Sequence, residues 1–364
     1  MKRLTALLLI LCLLLCACAK KDSAETTEDT TVPTTEETKP AETKPTETEP
    51  TEPSVAELVN RHPLTGEVLN DPWMGQVVAV VVNNLRDAMP QCGISSADMY
   101  YEVEVESGIT RCVALFTDLS DVKAIGPIRS ARSAFNSIAT SFDAPLVHCG
   151  GSDFALKAQY GDSSDQIKNW EHINEMENGS YFFRDKQRQK DGYAYEHTLF
   201  TTGELLQMVL DEKGMNTPTD KSFGMQFQEN VKLNGEKAEE IVVTFKGTKT
   251  SKFIYDSASG LYKMFQHGKE NIDGNTQEQV AFKNVIAIYT DQWMANDGVH
   301  VFYETIGSGD GYAAINGTIV PILWNRTDVY SPFTYTLADG TPLQLDVGTT
   351  YVGLVGIQNP ISYK

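Results

Sequence analysis

Two arginines flank a serine in Gly126-Pro127-Ile128-Arg129-Ser130-Ala131-Arg132-Ser133. The Gly-Pro pair interrupts the preceding segment. From Ala131 to Ser141, Ala134 with Ile138 and Phe135 with Ala139 fall at helical spacing. Ser130 is the expected N-cap of that helix. A helix start already presents positive partial charge, so Arg129 and Arg132 suit it best when an anion joins them. Free amides, the dipole and two guanidinium forks together would hold a phosphate or a carboxylate. The competing reading pairs both arginines with the chain's own Asp and Glu residues.

A second group is His148-Cys149-Gly150-Gly151-Ser152-Asp153. A strand ending in Gly150-Gly151 before a helix allows close backbone approach to a ligand, with His148 as a titratable neighbour. For His148 a structural role stands beside the ligand contact. Ser152 or Asp153 is the expected cap of the next helix. A Ser152 nucleophile lacks the G-x-S-x-G elbow. His148 cannot serve Cys149, because adjacent strand residues point to opposite faces. The third group is Tyr181-Phe182-Phe183-Arg184-Asp185 followed by Tyr195-Glu196-His197. Here Arg184 and Asp185 read as an internal salt bridge or ligand contacts, the aromatics as core, and His197 as aimed into the same cleft. Arg111, opening a strand, completes the candidate ligand-binding set, and no catalytic residue is assigned. Glu102, Glu104 and Glu106 share one strand face and read as a solvated ladder. The histidines lack metal spacing, and no P-loop or dinucleotide fingerprint occurs, so neither metal nor cofactor is expected.

The elements that must position these residues follow from pattern. The continuous run Val77–Val82 reads as a strand buried on both faces. Met99–Glu106, Arg111–Thr117 and Ala144–His148 read as further strands, and Asp153–Tyr160 as a helix. Beyond about Gln226 strand follows strand, at Val242–Phe245, Lys252–Tyr255, Val285–Tyr289, Val299–Glu304 and Phe333–Thr336. Asn234-Gly235, Asp273-Gly274, Asn316-Gly317 and Asp339-Gly340 mark tight turns. Gly307–Gly311 misses the calcium-loop pattern and reads as a plain glycine loop. The expected architecture is an α+β or mixed α/β domain over 58–225, followed by a separate, β-rich, mostly antiparallel domain over 226–364.

The chain begins with Lys2-Arg3 and a leucine-rich run to Leu15, then Leu15-Cys16-Ala17-Cys18. That run is too short to span a bilayer and matches a lipoprotein signal, with lipid on Cys18. Residues 19–57 are rich in Thr, Glu and Pro and cannot bury a core, so they read as a disordered tether. Four lysines against eleven acids put the tether near −7 and the signal near +2, so about −14 of the total −19 falls on the body. That balance argues against nucleic acid as a partner. Three cysteines lie in the body, Cys92, Cys112 and Cys149, widely spaced. They read as small buried hydrophobes, with one bridge and a free thiol as the alternative.

The order of motifs resembles the YerB-like lipoprotein family of Gram-positive bacteria. The matching segments include His62-Pro63-Leu64-Thr65-Gly66, Val80-Val81-Val82-Asn83-Asn84 and Ala97-Asp98-Met99-Tyr100-Tyr101-Glu102. They continue through Glu106–Arg111, Gly126–Arg132, His148–Ser152, Phe183-Arg184-Asp185 and His197. The resemblance implies a lipid anchor and two domains over residues 60–364, and assigns no reaction. Where the family has Pro-His-Asn, this chain has Glu196-His197-Thr198. A looser similarity in element order, over Ile125–Arg132, is to the LytR-CpsA-Psr envelope phosphotransferases.

The expectation is an extracytoplasmic envelope protein, lipid-anchored at the outer face of the cell membrane. Its partners would be that membrane, through diacylglycerol on Cys18, and an anionic envelope ligand or another envelope protein. The alternatives are an enzyme of phosphoryl or glycosyl-phosphoryl transfer, using the same arginines, and a protein-docking scaffold in which they are structural.

Overall fold

The computed structural model describes residues 60–160, 171–219, 221–247 and 249–364. The signal with Cys18 and the tether over 19–57 lie outside the described residues.

Ten strands define the path of the main sheet. In chain order they are β1 (Val78–Asn83), β2 (Met99–Glu104), β3 (Thr110–Phe116), β4 (Leu146–His148), β5 (His172–Asn174), β6 (Asn284–Thr290), β7 (Gly307–Ile315), β8 (Thr318–Arg326), β9 (Thr334–Leu337) and β10 (Thr350–Gly356). Their spatial order is β9-β8-β7-β6-β10-β2-β3-β1-β4-β5, and residues 236–237 add a short eleventh strand against β8. The α-helices are α1 (Ser133–Ser141), α2 (Asp153–Gln159), α3 (Lys186–Lys190) and α4 (Gly203–Glu212). The pairs β1–β4, β4–β5, β2–β10 and β6–β10 are parallel, while β3 lies antiparallel between β1 and β2. The central strands β6, β10, β2, β1, β4 and β5 therefore run the same way and end at one rim, where sheets of this kind leave room for ligands.

The β-branched run of β1 is buried throughout because each face meets a different core. Val77, Ala79 and Val81 pack with Phe135 and Ile138 of α1. Val78, Val80 and Val82 pack on the other face with Leu206, Val209 and Leu210 of α4. That second face also meets a smaller sheet containing Glu240–Thr244, Thr250–Asp256, Leu261–Gln266 and Ile361–Tyr363. Both cores draw side chains from 58–225 and from 226–364, so the two segments meet in one sheet rather than in separate ones.

The C-terminal segment is β-rich as expected, but it is not simply a set of hairpins. β6 and β10 pair in parallel, and β10 continues in parallel onto β2. The segment Gly307–Gly311 is the start of β7, not a loop. A side chain on Gly311 would place its first carbon 2.7 Å from the Ala287 carbonyl oxygen, so glycine permits the close β6–β7 approach. Asn316 and Gly317, both with positive φ (48° and 77°), make the predicted tight turn between β7 and β8. Cys92, Cys112 and Cys149 are all free thiols.

Candidate functional site

The arginine-bearing segment does not open a helix. It is an extended strap laid across the carboxyl ends of β1 and β4. The Asn83 amide donates to the Pro127 carbonyl and the Arg129 amide to the Val81 carbonyl. On the other side, the Cys149 amide donates to the Arg129 carbonyl. Gly126 sits where the strap passes Leu199 and Phe200: its φ is +147° and an added Cβ would lie 2.9 Å from the Leu199 oxygen. α1 begins only at Ser133, with Arg132 in the N-cap position and no side-chain cap. The expectation that Ser130 caps this helix is thereby corrected; its carbonyl instead accepts from Arg111 Nη1 at 3.2 Å.

Arg111 and Arg132 are committed to one carboxylate. Arg111 Nη2 lies 2.6 Å from Glu106 Oε1, and Arg132 Nε donates to Glu106 Oε2 at 2.8 Å. Arg132 Nη1 also donates to its neighbour's carbonyl, on Ala131. Burial works against ionisation of Glu106, but the hydrogen bond from Arg132 and the charge of Arg111 prevail and bring its pKa to about 2. Burial, and then Arg132, pull Arg111 down to about 9. Arg132 is thus not aimed outward at a visitor, because an internal acid already satisfies it.

Arg129 differs. Its Nε is buried and bonded to nothing, and it forms no ion pair with any described residue. Its charge acts unfavourably on Arg111 and on the protonated form of His197. His197 is buried and accepts, through Nδ1, a 3.0 Å hydrogen bond from the Asn83 amide group. Asn83 Oδ1 is occupied by the Leu85 amide, which fixes that direction and leaves the proton on His197 Nε2. Burial, reinforced by Arg129, lowers the His197 pKa. The result is a neutral imidazole and an unpaired guanidinium at one rim.

The His148 group is used internally. His148 is fully buried, and its Nδ1–H donates to the Gly150 carbonyl at 2.8 Å. Burial depresses its pKa to about 4. The close approach that Gly150-Gly151 permits is to Ala131 of the strap, through Ala131 N–H to Gly150 O and Ser152 N–H to Ala131 O. Neither glycine is therefore reserved for a ligand. Ser152 caps α2 as expected, accepting from the Ala155 amide. Burial, with Glu175 beside it, pushes the Cys149 thiol up to about 11, so it is not a nucleophile.

Arg184 and Asp185 do not pair with each other. Arg184 lies 4.0 Å from Glu175, stacks at 4.0 Å on the Tyr195 ring and donates to the Tyr195 carbonyl. Asp185 caps α3 through the Gln187 and Arg188 amides. Of the aromatics expected in the core, Phe182 is buried and Phe183 is exposed. No metal-ligating cluster occurs among the described residues.

A family model described as the N-terminal domain of a protein of unknown function, DUF3048, matches residues 64–216, and the corresponding C-terminal domain matches 241–352. The curated relative "Putative lipoprotein YerB" of Bacillus subtilis (strain 168) is 24% identical over 281 residues, 76% of this chain and 80% of its own. A crystal structure of YerB protein from Bacillus subtilis superposes with a TM-score of 0.70 at 25% identity, covering 83% of this chain and 99% of the other. The chain belongs to the YerB-like DUF3048 family.

In this YerB-like chain the most heavily bonded polar group is one that sequence reasoning placed in water. Glu102 and Glu104 are buried, not solvated. Glu102 Oε1 accepts from Asn84 and Thr110 and lies 3.0 Å from Lys249 Nζ. Its Oε2 accepts from Ser251, Gln266 and Tyr351. Burial opposes ionisation, but Lys249 and the hydroxyl donors outweigh it and hold the carboxyl below its ordinary range. Ser251, Gln266 and Tyr351 stand 149, 164 and 249 residues away along the chain, so no local signal could reveal them. Arg188, equally unforeseen, donates to the carbonyls of Ala88, Pro90 and His197 and so fixes the loop that carries His197.

Proposed function

We propose that this YerB-like protein is a lipid-anchored, extracytoplasmic envelope protein whose body captures an anionic group at Arg129. The anchor rests on the lipobox ending at Cys18 and on the description of its Bacillus relative as a lipoprotein. No described helix is long and apolar enough to cross a membrane.

The observation that carries the binding reading is the buried, unbonded Nε of Arg129, in Coulombic reach of Arg111 and in no ion pair with a described residue. Arg129 is half-buried, so its guanidinium is held in place by the strap yet left without a bond of its own for an anion to supply. The Arg129 fork would supply paired donors to a phosphate or carboxylate. His197 Nε2–H is a candidate third donor. Arg111 and Arg132 act one step back, holding Glu106 away from Arg129.

Calorimetry of the full chain with pyrophosphate, muropeptide carboxylates and chloride tests this reading. One of the first two should bind, and Arg129→Gln should lose that binding at unchanged melting temperature. Equal binding by parent and variant would remove the site. Separately, Cys18→Ala should move the protein from the membrane fraction to the soluble fraction.

A further inference from the structure

A groove beside this site shares none of its arginines. Its larger part, about 940 Å³, lies between the exit of β1, the β2–β3 turn and two hairpin turns of the second sheet. A smaller part, about 480 Å³, is lined by Met89, Pro90, Lys269 and Ile272 among others. Arg86 and His267 line both parts, so the two meet there.

Charge in the groove runs against the charge of the body. Arg86, Lys246 and Lys269 are exposed and make no ion pair with a described residue. Lys249, at the floor, is already neutralised by Glu102. Among the described residues, one acid, Glu270, lines the smaller part, and none lines the larger. In a body near −14, three unpaired cations along one groove are a local reversal of sign, which draws anions in. Between the cations lie apolar and hydroxyl-bearing positions, among them Leu85, Ser107, Ile109 and Ile272. Among the described residues the groove lining includes no Phe, Tyr or Trp, so the row of large stacking platforms that suits single-stranded nucleic acid is absent from it.

We propose that this groove binds a linear polyanion, a chain whose phosphodiester or carboxylate charges recur between uncharged sugar or polyol units. Spaced cations match spaced charges, and the intervening apolar and hydroxyl surface matches the neutral units. The inference does not depend on the Arg129 site.

The test is fluorescence binding of the full chain to a glycerol-phosphate oligomer and to an oligogalacturonate. Orthophosphate and a single-stranded oligonucleotide of matched charge serve as comparisons. At least one of the two polymers should bind saturably and weaken as salt rises. The Arg86→Ser/Lys246→Ser double variant should bind about tenfold more weakly or worse, with its melting temperature unchanged. The charge-preserving Arg86→Lys/Lys246→Arg variant should retain binding, which keeps the test valid if the double variant loses stability. Arg129→Gln should bind the polymer like the parent. The polymer that binds identifies the charged group, phosphodiester or carboxylate. The proposal is overturned by equal polymer binding in parent and double variant, by saturable binding of neither polymer, or by orthophosphate competing as well per charge as the polymer. Tighter binding of the oligonucleotide than of either polymer would overturn it in favour of nucleic acid.

Discussion

Two charged groups near one rim of the sheet are treated in opposite ways. Glu102 on β2 is fully buried, and both its oxygens are saturated by donors from five segments of the chain. Arg129, on the strap across β1 and β4, keeps a buried nitrogen with no partner at all. A satisfied buried charge ties distant segments together, and removing one member strands the rest. An unsatisfied one contributes nothing to the fold and points to something that is not part of it. The Glu106 cluster lies between these cases: its arginines look like ligand receptors in the sequence and turn out to be each other's scaffold.

The largest effect should come from the saturated side of this contrast. Glu102→Ala leaves Lys249 buried at 8% side-chain exposure beside five donors that had shared the carboxylate, and should cost about 3–5 kcal/mol in urea denaturation. A loss under about 1 kcal/mol would mean that Glu102 is no keystone. Next, Glu106→Gln sets Arg111 and Arg132 against each other without a counter-charge, and should cost about 2–3 kcal/mol. The same pair gives a pH signature. The folded pKa of Glu106, about 2, lies below its ordinary value, so its stabilisation is complete above about pH 4.5. It is lost as pH falls from there towards 2, and Glu106→Gln should flatten the melting-temperature curve in that window.

His148 provides a smaller effect of the same sign. As a buried neutral base with a folded pKa near 4, it costs the fold nothing above about pH 6.5 and destabilises it progressively as pH falls towards 4. His148→Phe should remove that slope while leaving any anion binding at Arg129 in place. The smallest effect belongs to the unsatisfied side. Arg129→Gln should change stability by no more than about 0.5 kcal/mol in the absence of ligand, since it breaks no side-chain bond. A loss of 2 kcal/mol would show that Arg129 is structural after all.

Much of the frame was legible in the sequence, because its signals are local. The Val77–Val82 run, the Asn316-Gly317 turn and the Ser152 cap each depend on residues a few positions apart. The helix after the second arginine was legible in its apolar spacing, but its start was misplaced by two residues. Ala131 is drawn into a bridge with Gly151, and that tertiary contact overrides the capping preference of Ser130. Glu102-x-Glu104-x-Glu106 has the alternation of a wet strand face, yet β10 and the second sheet cover β2. What conceals those carboxylates lies some 150 to 250 residues downstream, beyond any periodicity argument. The groove cations were illegible for the same reason: Arg86, Lys246 and Lys269 are brought together only by folding.

The central claim concerns one nitrogen, and proton NMR of the arginine Nε–H groups reads it directly. In the free protein, the Arg129 Nε–H resonance, assigned by its loss in Arg129→Gln, should report no strong hydrogen bond. With saturating pyrophosphate or a muropeptide carboxylate it should move downfield and exchange more slowly with water. A resonance that is already hydrogen-bonded in the free protein, or that no anion shifts, would contradict the account.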